Sequence, residues 1–203
     1  MTEAEKFWQE FEIAKDTLMD IDSLSEEQAD KVMLDMDNKL KKYSKGLDFI
    51  LGDLTSKGRS FTITANGDKE YFPFVEELMD NAPEFNLWSI EGFLQPEGKH
   101  LTMRYNGYIL RSGELFFVPL ENEEQKDKIG IRVGAKKIVD NEDFEICAYL
   151  LVEKMIGEYY ATTLIEYFDL VTLPENYKEE NFMPLDNLPD YVAWFVQNRK
   201  QKA

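Results

Sequence analysis

Cysteine and histidine each occur once in the 203 residues, as Cys147 and His100. A single cysteine excludes an intramolecular disulfide and suits a reducing compartment. One His and one Cys cannot supply a zinc site of ordinary His/Cys composition within one chain. Long apolar runs are missing too: nothing approaches the ~18 uninterrupted apolar residues of a membrane-crossing helix. The opening MTEAEKFWQEFEIAK is acidic and amphipathic, whereas a secretory signal would be basic and then apolar. GxGxxG, GxxxxGK[ST] and GxSxG are all absent, so a Gly-rich phosphate cradle and a nucleophile elbow have no support. Positive charge is the last scarcity. Twenty-three Lys and Arg stand against 40 Asp and Glu, a net charge of −17, which opposes approach to a nucleic-acid backbone or an anionic membrane. The expectation is a cytoplasmic protein with no cofactor, no metal, no nucleic-acid partner and no membrane partner, whose surface favours a basic protein.

What is present is enough to build a core: 43% of residues are hydrophobic and 13% aromatic. The clearest stretch runs from Arg59 to Gln95. Phe61, Ile63 and Ala65 alternate with Thr62 and Thr64, the period of a strand with one buried face. Asn66-Gly67-Asp68 breaks that alternation. Phe72, Val75, Leu78 and Met79 then follow helical spacing, with Pro73 tolerable only in the first turn and Pro83 enforcing a stop. Leu87 to Leu94 reads as a further strand.

Upstream, Phe7, Trp8, Phe11, Ile13, Ala14 and Leu18 fall on one broad face and predict a first helix over 3–20. Ser25-Glu26-Glu27-Gln28 has the spelling of a capping box for a second, which Gly46 ends. A short strand, 47–51, follows. Downstream, Leu101–Tyr105 and the Asn106-Gly107 turn predict a hairpin. Leu115–Leu120 and Ile129–Val133 read as strands about a charged loop, 121–128. Asn141 opens a helix whose stripe of Phe144, Cys147, Ala148, Leu151, Val152 and Met155 ends at Gly157. A strand from Tyr159 to about Leu173, an irregular tail and a short helix over 191–198 complete the chain.

The predicted fold class is α+β in a single domain, 1–203. It comprises a helical hairpin (1–45), a first β-β-α-β unit (46–98), a hairpin with a second such unit (99–173) and a tail (174–203). The repeated order suggests an internal duplication and predicts one mostly antiparallel sheet with both helices on one face. Residues 99–139 are locally basic, with eight Lys and Arg against five acids, between acidic flanks.

The segment TANGDKEYFPFVEELMDNAPEFNLW, together with GEYYATTLIEYFDL, resembles a group of uncharacterised bacterial proteins. The likeness rests on Gly67, Asp68, Phe72, Pro73, Ala82, Pro83 and Trp88, then Gly157-Glu158-Tyr159. It implies no activity and adds no catalytic residue.

Residues able to carry chemistry are few. His100 sits in a turn or strand start with no acid or nucleophile assignable to it, which predicts a surface side chain. Cys147, on an apolar stripe, predicts a buried thiol. Asp35-Met36-Asp37-Asn38 starts like a calcium loop but lacks the Gly and the closing Glu. Tyr105, Tyr108, Phe116 and Phe117 with Arg104 and Arg111 have the composition of a single-strand nucleic-acid platform, but a core-packed hairpin explains the same residues and the overall charge argues against the platform. Glu158, beside Tyr159 at a helix-to-strand junction, is a candidate general acid or base. Glu166 and Asp169 join these two as functional candidates, although three residues apart in a strand they point to opposite faces. Two functions therefore stand: an acidic, non-enzymatic binding or regulatory protein, of which an immunity-type protein is one form, or a small-ligand protein or enzyme using carboxylates.

Overall fold

The computed structural model describes residues 1–120 and 124–200 and forms two compact units, Met1–Leu94 and Gln95–Ala203. The first begins with α1 (Glu3–Met19) and α2 (Glu26–Tyr43), the helical hairpin expected. Each starts at a reciprocal cap, Thr2 with Glu5 and Ser25 with Gln28, which satisfies N–H groups the helix itself cannot. Strands β1 (Asp48–Leu51) and β2 (Arg59–Thr64) pair antiparallel. Helix α3 (Phe72–Asp80), with Pro73 in its first turn, leads to β3 (Trp88–Gly92), which lies parallel to β2. This last strand is shorter than 87–94. Leu87 and Phe93 take left-handed φ values of 63° and 65° and so end it on both sides.

The core of this unit is aromatic. Phe7, Trp8, Phe11 and Leu18 of α1 meet Met36 and Leu40 of α2, Phe61 and Ile63 of β2, and Val75 and Leu78 of α3. Phe11 is at its centre, its ring 4.8 Å from Phe61, 5.1 Å from Phe85, 5.2 Å from Trp88 and 5.6 Å from Trp8. The Trp8 indole N–H donates to the Leu78 carbonyl at 2.9 Å, so the ring is buried without an orphaned donor. Buried Arg59 pairs with Asp22 and donates to the Gly52 carbonyl at 3.0 Å.

In the second unit, β4 (Thr102–Tyr105) and β5 (Tyr108–Arg111) form a hairpin. Asn106 and Gly107, at φ 42° and 85°, provide the left-handed turn pair that matches strand twist. A four-stranded sheet holds β6 (Leu115–Leu120), β7 (Ile129–Ala135), β8 (Ile165–Thr172) and β9 (Met183–Pro184) in the order β8-β7-β6-β9. Between β7 and β8 lie α4 (Glu142–Ile156) and α5 (Glu158–Leu164), and α6 (Leu188–Lys200) follows β9. Phe117, Ile131, Val133, Cys147, Leu151 and Leu185 are the centre of a second core. Part of the expected charged loop, 121–123, lies outside the described residues.

Three expectations need correction. Among the described residues the single sheet is replaced by three sheets of three, two and four strands, in which four of the six strand pairings are antiparallel. Helices α3 and α4 belong to different cores, so they do not share one face of one sheet, and the internal duplication suggested by the repeated order is lost with that arrangement. The first half of the expected strand 159–173 is helix α5, because Ala161 and Leu164 reach the core three residues apart; packing there overrides the strand preference of Tyr159, Tyr160, Thr162 and Thr163. The tail also gives β9, paired to Phe116 and Phe117.

Candidate functional site

Gly157 separates α4 from α5 at φ 82°, a conformation that costs glycine little. The final carbonyls of α4 do not go unmet. Glu153 receives the Gly157 N–H at 2.6 Å, Lys154 that of Glu97 at 2.8 Å, and Met155 that of Gly98 at 3.3 Å. This stop places Glu158 at the first position of α5, fully buried, at a junction of two helices where a helix-to-strand turn was expected. The chain therefore takes a carboxyl group entirely out of solvent, which partial desolvation at a turn would not do.

Glu158 also acts on a neighbour. Burial pushes the half-buried Glu153 carboxyl above the usual glutamate range, and the proximity of Glu158 adds to that push. Tyr149, one helical turn before Glu153, is raised by burial and then by Glu153. The result is a Tyr149–Glu153–Glu158 series running down α4 into α5. Because the folded protein binds the Glu153 proton more tightly than the unfolded chain does, this group costs stability as pH rises from below the ordinary glutamate value through its folded value. Glu153→Gln is accordingly expected to raise the melting temperature at pH 7.5, with the gain disappearing below about pH 4. Paired thermal melts at the two pH values check this, and an unchanged or lowered midpoint at pH 7.5 would contradict it.

The other candidates lie elsewhere. Tyr159 is exposed and packs edge-on against Tyr160, ring centroids 5.7 Å apart. Glu166 is exposed on β8. Asp169, half-buried, accepts a 2.7 Å hydrogen bond from Nε of Arg132, its register partner on β7, and this bond raises the Arg132 pKa still further. Glu166 and Asp169 thus have separate surroundings.

His100 and Cys147 are where the sequence put them. The His100 side chain is 81% exposed, and Cys147 is fully buried with its thiol pushed up by burial. His100 nevertheless has partners that its sequence neighbours did not suggest. Asp186 Oδ2 lies 2.9 Å from His100 Nδ1, while Oδ1 accepts the Ser112 hydroxyl at 2.6 Å and the His100 backbone N–H at 3.0 Å. Serine, histidine and aspartate meet here in the wrong order for nucleophilic catalysis, which needs the imidazole between the other two and the hydroxyl accessible. Ser112 is fully buried and also accepts the Leu101 N–H at 2.9 Å, so the cluster fastens the start of β4 to the residues before α6. Burial draws the Asp186 carboxyl upward, yet Ser112, the His100 N–H and the His100 ring outweigh it and leave it below the usual range. Its stabilisation is present above the ordinary aspartate value and is lost as pH falls through the folded one.

Two concavities flank the series in this unit. One, about 330 Å³, is lined by Glu142, Glu145, Ile146, Tyr149 and Phe168. The other, about 350 Å³, is an apolar groove on α4, α5 and α6 that includes Met155, Ile156, Tyr160, Val192 and Val196. Among the described residues no group of three His, Cys, Asp or Glu side chains is arranged to hold a metal ion. No helix there is long and apolar enough to cross a membrane.

Set against protein-family models, curated proteins and solved structures, the chain finds no match. The site must therefore be interpreted from its own geometry. Tyr149 and Glu153 escaped sequence reasoning because they lie off the apolar stripe of α4; their spacing of four residues, one helical turn, was the available signal.

Proposed function

We propose that this is a non-enzymatic binding protein of the cytoplasm whose acidic first unit engages a basic protein partner. The observation that carries the reading is the outer surface of α1 and α2. Residues 1–94 contain 21 acids and 10 bases, a net charge of −11. Ile13 and Leu34, 76% and 61% exposed, each stand on a helix beside exposed acids: Glu10 and Asp16 flank Ile13, and Asp30 is one turn before Leu34. An apolar side chain with a charged rim suits association, since the rim steers encounter and the apolar group contributes to holding the complex. An immunity-type protein that neutralises a cationic toxin has this chemistry. The likeness to uncharacterised bacterial proteins agrees with a bacterial origin and adds no activity.

The full chain is expected to capture a basic protein at low salt and release it at high salt. Asp16→Lys with Asp30→Lys should slow association by about tenfold or more, because like charge then meets like. Capture that ignores both salt and these substitutions would end the reading.

A second reading, a small-ligand protein or an enzyme using carboxylates, is favoured by the Glu153–Glu158 juxtaposition. Glu158→Gln should lower the Glu153 titration midpoint followed by carboxyl NMR, and no change would remove its support.

A further inference from the structure

The cavity between α4 and β8 has walls of two kinds. Tyr149 and Phe168 form an aromatic corner, their rings 5.5 Å apart and at 89°. Glu142 and Glu145 stand beside it at positions i and i+3 of the stripe that reaches Tyr149 at i+7. Both glutamates are exposed, and among the described residues neither carboxylate has an ion-pair or hydrogen-bond partner. The neighbouring Asp143, by contrast, accepts a hydrogen bond from the Asn106 side chain at 3.0 Å. The first turn of α4 therefore offers one committed acid and two uncommitted ones, and the uncommitted pair faces the cavity.

We propose that this corner is a receptor for one guanidinium or alkylammonium group. A ring face attracts a cation through its quadrupole, and the attraction grows where water is partly excluded, as it is at half-buried Tyr149 and Phe168. The glutamates select positive charge and neutralise it. Glu153, one turn beyond Tyr149, extends the negative field into the protein. At about 330 Å³ the cavity is at the bottom of the ~300–1,000 Å³ range of small-molecule sites, which suits a single head group with a short stem. The inference rests on the basic-partner reading for its source: the cation is an arginine or lysine side chain of that partner. A free organic cation has the same chemistry and is a separate arm of the test.

The full-length protein is titrated with a blocked Gly-Arg-Gly tripeptide, with its neutral citrulline counterpart and with methylguanidinium, while NMR follows the ring protons of Tyr149 and Phe168. The arginine tripeptide should shift both rings saturably and the citrulline tripeptide should not. Glu142→Gln with Glu145→Gln, exposed positions that leave the core intact, should weaken binding about tenfold. Glu179→Gln with Glu180→Gln, exposed positions between β8 and β9, should leave it unchanged. Tighter binding of the tripeptide than of methylguanidinium assigns the site to a protein side chain; the reverse order overturns that assignment in favour of a free cation. Equal binding of the citrulline tripeptide, silent rings, or indifference to the α4 substitutions overturns the receptor itself. None of these results depends on α1 and α2, so failure here is distinct from failure of the acidic-face reading.

Discussion

Phe11→Ala is expected to cost about 3–5 kcal/mol of folding stability, the range for truncating a fully buried aromatic side chain. Phe11 has no exposed surface and its ring touches four others, drawn from α1, β2, β3 and the loop before β3. The alanine would leave a void that no single neighbour can fill, because each is itself anchored: Trp8 through its bond to Leu78 and Phe61 through the β2 ladder. Since whole domains are held by about 5–15 kcal/mol, the loss is large. Urea denaturation followed by tryptophan fluorescence measures it, and Trp8 and Trp88 report from beside the lesion. Phe11→Leu, which keeps most of the volume, should cost less. A loss below about 1 kcal/mol for the alanine would mean the aromatic cluster is not closely packed.

Gly58→Ala should be nearly as damaging for a different reason. Gly58 has φ +104°, and a Cβ built there would lie 1.9 Å from the Leu87 carbonyl oxygen. That oxygen is not free to withdraw, because it accepts the Arg59 N–H at 3.0 Å and so sets where β2 and β3 begin to pair. Backbone strain adds to the collision, and together they predict a loss of about 3 kcal/mol or more. Gly107→Ala is the control: its φ is +85° with nothing within 4 Å of the added carbon, so only the conformational cost of about 1–2 kcal/mol remains. Hydrogen exchange at the Arg59 amide, read with urea midpoints, separates the two. Equal losses for both substitutions would show that the contact with Leu87 does not matter.

Local signals were legible and distant ones were not. The Ser25 capping box, the proline in the first turn of α3, the Asn-Gly hairpin and the buried Cys147 stripe all depend on residues within a few positions of one another, and each is found as read. Sheet number failed because alternation shows that a strand has a buried face without saying which core receives it. Tyr159 to Leu164 was misread because aromatic and β-branched residues favour strands only where packing permits. For the candidate site, Glu158 was singled out, but its complete burial was invisible. The Asp186–Ser112 contact joins residues 74 positions apart, a separation that hydrophobic periodicity does not encode. The Tyr149–Phe168 corner likewise depends on a helix and a strand meeting.

Among the described residues, the first core draws only on those up to Phe93. A ribosome making this chain from its N-terminus will have released every side chain that core requires while the second unit is still being translated. Its collapse need not wait for distant sequence, and the aromatic residues of α1 can be covered early. An unfinished polypeptide is most prone to aggregate through exposed apolar surface, so the order in which the two cores are encoded shortens the time that the aromatic face of α1 spends uncovered.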